Sequence, residues 1–298
     1  MFNDDPDVQD SNAVLGRIMK RANETTPPLL SKRKRRWDRW TKRTWRLAAL
    51  PLLFYFGIPL LVLILQTSPS RTVNSLNNPA VYLALWISFK TTVISLCLIL
   101  LLGTPLAYLL GRSTFRFKAV VDTLIDLPTV LPPSVAGLAL LLTFGRSGPF
   151  GTLLAQFHLN LAFTQAAVVM AQVFIAAPYY IRAAALGFAG IDSEYLQAAQ
   201  LDGANRWGIL RFLILPLTQS ALISGGLMSW ARALGEFGAT ILFAGNFLGR
   251  TQTMPLAIYL GFESNLDVAL TLSVILILVS FLTLVLFKAL AAKNLYVD

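Results

Sequence analysis

Apolar runs of about 20 residues recur along this chain and restrict its possible folds more than any other feature. A helix of that length crosses the hydrocarbon core of a bilayer, where each segment must satisfy its own backbone N–H and C=O groups. Charged residues make up only 13% of the chain and hydrophobic residues 55%, whereas soluble domains carry about 25% charged residues. The sequence therefore predicts an all-α, polytopic membrane protein.

The runs predict about six transmembrane helices. The third is interrupted by Pro128 and by Pro132–Pro133, and the fifth extends as far as Ala244 if the helix continues through Gly235 and Gly238. The predicted spans are 47–65, 83–110, 119–144, 165–188, 212–230 and 268–290.

Positive residues divide the connections into two groups. The rich group is Lys32, Arg33, Lys34, Arg35, Arg36, Arg39, Lys42, Arg43 and Arg46 before the first span, then Arg112, Arg116, Lys118, Arg206, Arg211, Lys288 and Lys293. The poor group holds Arg71, Arg146 and Arg250, with Lys90 near a span end. Because cytoplasmic connections carry the excess of Lys and Arg, both termini and the connection 190–212 are predicted to be cytoplasmic.

The first 46 residues lie outside the predicted spans. They begin acidic and become strongly basic, and their polar composition with Pro27 and Pro28 favours a largely disordered cytoplasmic tail. The basic run is similar to a nucleic-acid patch, but its place beside a span favours an orientation signal that contacts anionic membrane lipids. Residues 47–65 are then an extra N-terminal transmembrane helix, and no nucleic-acid partner is expected.

The sequence shows no chemistry of its own. Cys97 and His158 are single residues of their type, and the chain has no phosphate-binding glycine loop, metal cluster or nucleophile triad that we recognise. We therefore expect no catalytic residue, metal or cofactor in this chain. Any energy for transport must come from an ion gradient or a partner.

The connection 190–212 stands out as a polar, helix-forming stretch. Asp192 or Ser193 is suited to start a helix that contains Glu194, and Gly203 permits a sharp turn before a second short helix from Asn205 to Phe212. Pro216 lies near the start of the next span, where a disrupted helix is easily accommodated. The pattern predicts a helix–turn–helix knob that docks into a groove on a partner.

The spacing of this connection resembles the cytoplasmic signature of ABC importer permeases. The signature is Glu-Ala-Ala, three residues, Gly, nine residues, Ile, one residue and Leu-Pro, but here Gln197 replaces the Glu and Leu213 replaces the Ile. Glu194, one turn earlier, supplies a nearby charge. The resemblance implies a coupling loop that contacts an ATPase through Glu194, Gln197, Ala198, Ala199, Asp202, Gly203, Ala204 and Pro216.

Four further segments resemble the molybdate permeases of this type I importer class. They are residues 127–137, 231–240, 243–246 and 251–259 within a core of 83–290. Sulfate permeases share Arg232 to Glu236 but typically have Tyr where this chain has Phe237, and they remain the nearest alternative. The resemblance implies import of molybdate or tungstate across the inner membrane of a prokaryote.

The resemblance also implies the partners. They are ABC ATPase subunits that carry ATP and Mg, an extracytoplasmic oxyanion-binding protein and a second permease copy in a homodimer. A secondary anion transporter is a less favoured alternative, because few charges lie in the spans and the knob would have no purpose. A membrane enzyme lacks a convergent catalytic set.

Two segments are candidates for the translocation path. The first contains Thr129, Pro132, Pro133 and Ser134, where prolines break the helix and either line a path or form a structural kink. The second contains Arg232, Gly235, Glu236, Gly238 and Thr240. Arg232 and Glu236 are four residues apart and share one helix face, so they form either an outer gate near the dimer axis or a structural ion pair.

Overall fold

The computed structural model describes residues 28–294, and within that range every regular element is helical. Five of the helices in this range begin at a proline, whose missing N–H costs nothing in the first turn. The helices are α1 Pro28–Gln66, α2 Pro69–Leu76, α3 Pro79–Arg112, α4 Lys118–Val130, α5 Pro133–Phe144, α6 Pro149–Ala155, α7 Gln165–Ala189, α8 Ser193–Leu201, α9 Arg206–Leu234, α10 Gly238–Phe243, α11 Met254–Ser264 and α12 Leu266–Asn294. The all-α fold class is confirmed.

Among the described residues, five helices are long and apolar enough to cross a membrane by themselves. They are α3, α7, α9, α12 and the part of α1 from Leu47 to Gln66. The third predicted span is present as α4 and α5, which are bent by 116° at their junction. The prediction of about six spans is therefore confirmed, with the third in two pieces.

Helix α1 belongs to a separate compact unit that ends at Leu65. Its described side chains between Leu47 and Leu65 are almost all exposed, as expected for a helix surrounded by lipid. The largely disordered tail stays a prediction. Its residues 28–46 are helical and continuous with the span, and Lys, Arg and Leu are good helix formers. Residues 1–27 of that predicted tail lie outside the described part of the chain.

The core of the second unit forms around α7, the most buried of the spans. It packs against α3 through a buried polar network, in which Ser95 Oγ lies 2.8 Å from Gln172 Oε1. Farther along the same interface, Tyr180 packs on Gly103 and its hydroxyl lies 2.6 Å from Thr104 Oγ1. Helices α7 and α9 also approach closely, since a methyl group on Gly225 would lie 2.9 Å from Ala183 Cβ. Small and hydrogen-bonding residues of this kind are how membrane helices associate.

The fifth span differs from the prediction at both ends. It begins at Arg206, because the expected second short helix continues into it through a π-helical turn at Leu210–Ile214. This wider turn lies directly before Pro216, where it accommodates a residue that cannot donate a backbone hydrogen bond. The alternative that the span continues to Ala244 is wrong, since the helix ends at Leu234 and a new one begins at Gly238.

Candidate functional site

The connection after α7 folds as a helix–turn–helix knob, as the sequence predicts. Asp192 is its N-cap and accepts a hydrogen bond from the backbone N–H of Glu194 at 3.1 Å. Gly203 turns the chain with φ +82°, a conformation that favours glycine. Asn205 then caps α9 by accepting from the N–H of Gly208 at 2.7 Å. Each signal read from the sequence therefore has its expected local role.

The surface of the knob is open and partly apolar. Leu201 is 88% exposed, and Tyr195 and Trp207 are more than half exposed. On the opposite side, Leu196 and Ala199 pack against the main core cluster. The knob is thus seated on the spans through one face and presents large side chains on the other.

All the predicted coupling residues except Pro216 lie in this knob. Glu194, Gln197, Ala198, Asp202, Gly203 and Ala204 are exposed, whereas Ala199 is half-buried. The N–H of Ala204 donates to the carbonyl oxygen of Ala199 at 3.0 Å and closes the turn. Pro216 lies apart from the knob, beyond the π turn of α9.

A cavity of about 610 Å³ lies beneath the knob. Its walls come from α3, α7, α8 and α9, and include Tyr108, Phe188, Leu196 and Arg206. The knob therefore rests on the spans without filling all the space below it.

The first predicted path segment lies at the bend between α4 and α5. The break falls at Leu131 and Pro132, while Pro128 lies inside α4 and does not interrupt it. Thr129, Pro132 and Ser134 are exposed and Pro133 is half-buried. The hydroxyl of Thr129 donates to the carbonyl oxygen of Asp126 at 2.7 Å, so its single proton is already used within its own helix.

The second predicted path segment lies at the break between α9 and α10. Arg232 Nη1 lies 2.8 Å from Glu236 Oε2, so the predicted pair forms. The expectation that both residues share one helix is wrong, because α9 ends before Gly235. Glu236 Oε1 instead accepts a hydrogen bond from the N–H of Ala239 at 2.8 Å and caps α10. The buried carboxylate thus joins the end of one helix to the start of the next.

These two breaks meet in the folded chain. A methyl group on Gly238 would lie 2.8 Å from Pro133 Cβ, and one on Gly137 would lie 2.7 Å from the backbone of Ala239. Glycine is required at both positions because backbone or ring atoms occupy the space. Next to this contact, Thr240 is fully buried and its hydroxyl has no hydrogen-bond partner.

The structure contains one charged cluster that the sequence did not predict. Arg182 of α7 lies 2.6 Å from carboxylate oxygens of both Asp122 and Asp126 of α4. All three residues lie within apolar runs, and Arg182 is 56 or more residues from the two carboxylates, so the pattern alone does not pair them. Ionisable residues within membrane spans are by default candidates for a functional role. That rule is the signal by which the sequence could have indicated these three residues.

Residues 103–295 match the family described as "Binding-protein-dependent transport system inner membrane component". This match covers well over half of the chain and includes the knob and both helix breaks. The chain belongs to this family. Members are membrane components of binding-protein-dependent transport systems. This chain is therefore a transport subunit of such a system, and it is not an enzyme.

Curated relatives narrow the family further. The molybdenum transport system permease protein ModB of Mycobacterium tuberculosis is 39% identical over 236 residues, which cover 78% of this chain and 89% of that protein. The protein of the same name from Escherichia coli K12 is 40% identical over 177 residues, which cover 59% of this chain and 77% of that protein. The resemblance to the molybdate permeases of type I importers is confirmed.

A solved structure shares the fold. It is a bacterial alginate ABC transporter in complex with an alginate pentasaccharide-bound periplasmic protein. One of its chains superposes with a TM-score of 0.66 at 16% identity, over 90% of this chain and 98% of that chain. The helical arrangement described above is therefore that of an ABC importer transmembrane domain.

Proposed function

We propose that this chain is the permease subunit of an ATP-driven importer for molybdate, and for tungstate, which has nearly the same size and charge. The exposed knob is the main observation behind this proposal, because a membrane subunit of this family needs a surface to which an ATPase can bind. The relatives reported above are named for molybdenum, which favours molybdate over sulfate. Energy then comes from ATP and Mg bound by a separate ATPase.

The docking contact is proposed to centre on the apolar tip of the knob. Leu201, Tyr195 and Trp207 are the large exposed side chains there, and large apolar or aromatic anchors supply most of the free energy of helix-in-groove contacts. Glu194, Gln197 and Asp202 surround them as a polar rim. Glu194 lies on the first turn of α8 and supplies the charge that Gln197 lacks.

The translocation path is proposed to follow the two helix breaks. Irregular backbone at membrane depth is tolerated where it is buried in protein or lines a water-filled path. Ser134 and Gly235 are exposed beside the contact between Pro133 and Gly238. Arg232 and Glu236 are paired, so the site is nearly neutral and suits a gate better than a tight anion site.

The mechanism is alternating access without covalent chemistry. ATP closes the two ATPase subunits, the knobs of two permease copies move with them, and the dimer opens outward to receive the oxyanion from the binding protein. Hydrolysis returns it to the inward-facing state. The alignment of the half-helices at the two breaks changes between the outward-facing and inward-facing states, as in other transporters with broken helices. The assembly lies in a prokaryotic inner membrane with both termini cytoplasmic.

Co-purification with the cognate ATPase tests this proposal. In proteoliposomes, a molybdate-loaded binding protein should stimulate ATP hydrolysis, tungstate should do so comparably, and sulfate should not. Absence of stimulation by all three anions would overturn the proposal. Preferential stimulation by sulfate would move the cargo assignment to sulfate.

A matched pair of variants tests the docking surface. Leu201→Ala removes the side chain at the tip of the knob, whereas Leu186→Ala removes the same side chain from an exposed position in α7. A docking anchor contributes about 2 kcal/mol or more, so Leu201→Ala should weaken ATPase binding by about thirtyfold while Leu186→Ala leaves it unchanged. Equal binding by the two variants would place the ATPase contact elsewhere.

A further inference from the structure

The cluster of Arg182, Asp122 and Asp126 is the most extensively bonded charged group in the described part of the chain. Arg182 Nε and Nη2 reach the two carboxylate oxygens of Asp126 at 2.6 and 2.7 Å. Its Nη1 reaches Asp122 Oδ1 at 2.6 Å, and Nη2 also reaches the backbone oxygen of Asp122 at 2.8 Å. The planar guanidinium thus holds one helix at two successive turns, a geometry that lysine cannot reproduce.

The cluster joins two elements that lead to the two candidate sites. Arg182 lies seven residues before the end of α7 at Ala189, about 10 Å along the helix, and α7 leads directly into the knob. Asp126 lies four residues before Val130, where α4 ends at the 116° bend. A displacement of the knob end of α7 therefore reaches the bend through these three side chains.

Other contacts hold α4 only lightly. Val121 and Ile125 pack against the main core cluster, whereas Val120, Leu124 and Val130 are more than half exposed. Apolar contacts of this kind are not directional. The ion cluster is directional, so it fixes both the distance and the register between α4 and α7.

The knob end of α7 is itself anchored to the bundle. Arg112 Nη1 at the end of α3 donates to the carbonyl oxygen of Ile191 at 2.6 Å. This residue lies in the three-residue connection between α7 and α8, so the knob has little slack relative to α7. A rigid-body movement is transmitted when helical elements are firmly connected to one another, as α7 and the knob are.

We propose that Arg182 is a positioning residue that transmits movement of the knob to the bend between α4 and α5, and so couples ATP hydrolysis to opening of the path. This inference rests on the proposed function. It assigns the cluster a role in the ratio of transport to hydrolysis rather than in folding alone. Without the cluster, the knob still drives α7, but α4 no longer follows it.

An apolar triple variant separates the two roles. Arg182→Met, Asp122→Leu and Asp126→Leu together remove all three charges, and apolar replacements of whole ion clusters commonly preserve the fold. The matched control is Lys90→Met. It removes a hydrogen bond of 3.0 Å between Lys90 Nζ and Gln165 Oε1, which joins α7 to α3 rather than to α4 and lies at the opposite end of α7.

The measurement is molybdate uptake per ATP hydrolysed in proteoliposomes containing the permease, its ATPase and the binding protein. The triple variant should retain stimulated hydrolysis while uptake per ATP falls by about tenfold, a typical coupling effect. Arg182→Lys should show an intermediate ratio and Lys90→Met the wild-type ratio. A wild-type ratio in the triple variant overturns the inference.

If the triple variant does not assemble, the same measurement on Arg182→Lys decides, and a wild-type ratio there also overturns the inference. Failure of the wild-type complex to show stimulated hydrolysis refutes instead the proposed function. The two failures are therefore distinguishable.

Discussion

Replacing Gly137 with alanine tests the contact between the two helix breaks. The added methyl carbon would lie 2.7 Å from the Cα and from the carbonyl oxygen of Ala239. Carbon atoms pack at about 3.5–4.0 Å, so α5 and α10 must separate by about 1 Å. Because the obstructing atoms are backbone, no side chain can rotate away, and overpacking of this kind costs about 1–3 kcal/mol.

A second glycine provides the control. Gly226 is also buried within a helix, but the nearest atom to an added methyl carbon is Leu100 Cδ2 at 3.7 Å, an ordinary contact. Both substitutions gain about 1 kcal/mol of helix propensity. The difference in free energy of unfolding between Gly137→Ala and Gly226→Ala therefore isolates the clash, and it should be about 1–3 kcal/mol.

Denaturant unfolding of the purified variants in detergent micelles measures that difference, and molybdate uptake reports its effect on transport. Gly137→Ala should be less stable and slower in uptake than Gly226→Ala. Equal stability of the two variants would show that the breaks do not touch as described. Equal uptake with unequal stability would show that their contact is structural and not part of the path.

Three further changes test individual contacts. Asn205→Ala removes the cap of α9, which should cost about 1 kcal/mol and speed amide hydrogen exchange at the start of that helix; unchanged exchange would contradict the cap. Glu236→Gln should cost about 1.5–3 kcal/mol by leaving Arg232 unpaired, and adding Arg232→Met should restore most of the stability and, if the pair is only structural, normal uptake. Tyr180→Phe should lower the free energy of unfolding by about 1 kcal/mol through loss of the hydrogen bond to Thr104, and no change in denaturant unfolding would show that the bond contributes nothing net.

Local features of the site were readable because their causes are local. Asp192 and Asn205 are good N-caps, and Gly203 permits the positive φ that the turn requires. The end of α9 was harder to predict. Gly235 alone does not stop a helix in an apolar chain, and the stop depends on the Glu236 carboxylate binding the N–H of Ala239.

The sequence did not predict which residues that are distant in the chain contact each other. Asp122 and Asp126 are 60 and 56 residues from Arg182, and no periodicity within α4 or α7 indicates that these helices meet. The same limit applies to Gly137 and Gly238, whose neighbours come from helices more than 100 residues away in the chain. Such contacts depend on how the spans pack, which a single sequence does not specify.

The sequence by itself determined that the chain is an all-α protein with about six membrane helices and an exposed knob, because hydrophobic length, proline and capping residues act within a few turns. The tertiary structure alone decided that the two helix breaks lie against each other and that Arg182 joins the knob-bearing helix to one of them. Packing between spans in a membrane is chosen by close approach of small residues and by a few polar contacts. Those contacts exist only once the helices have assembled.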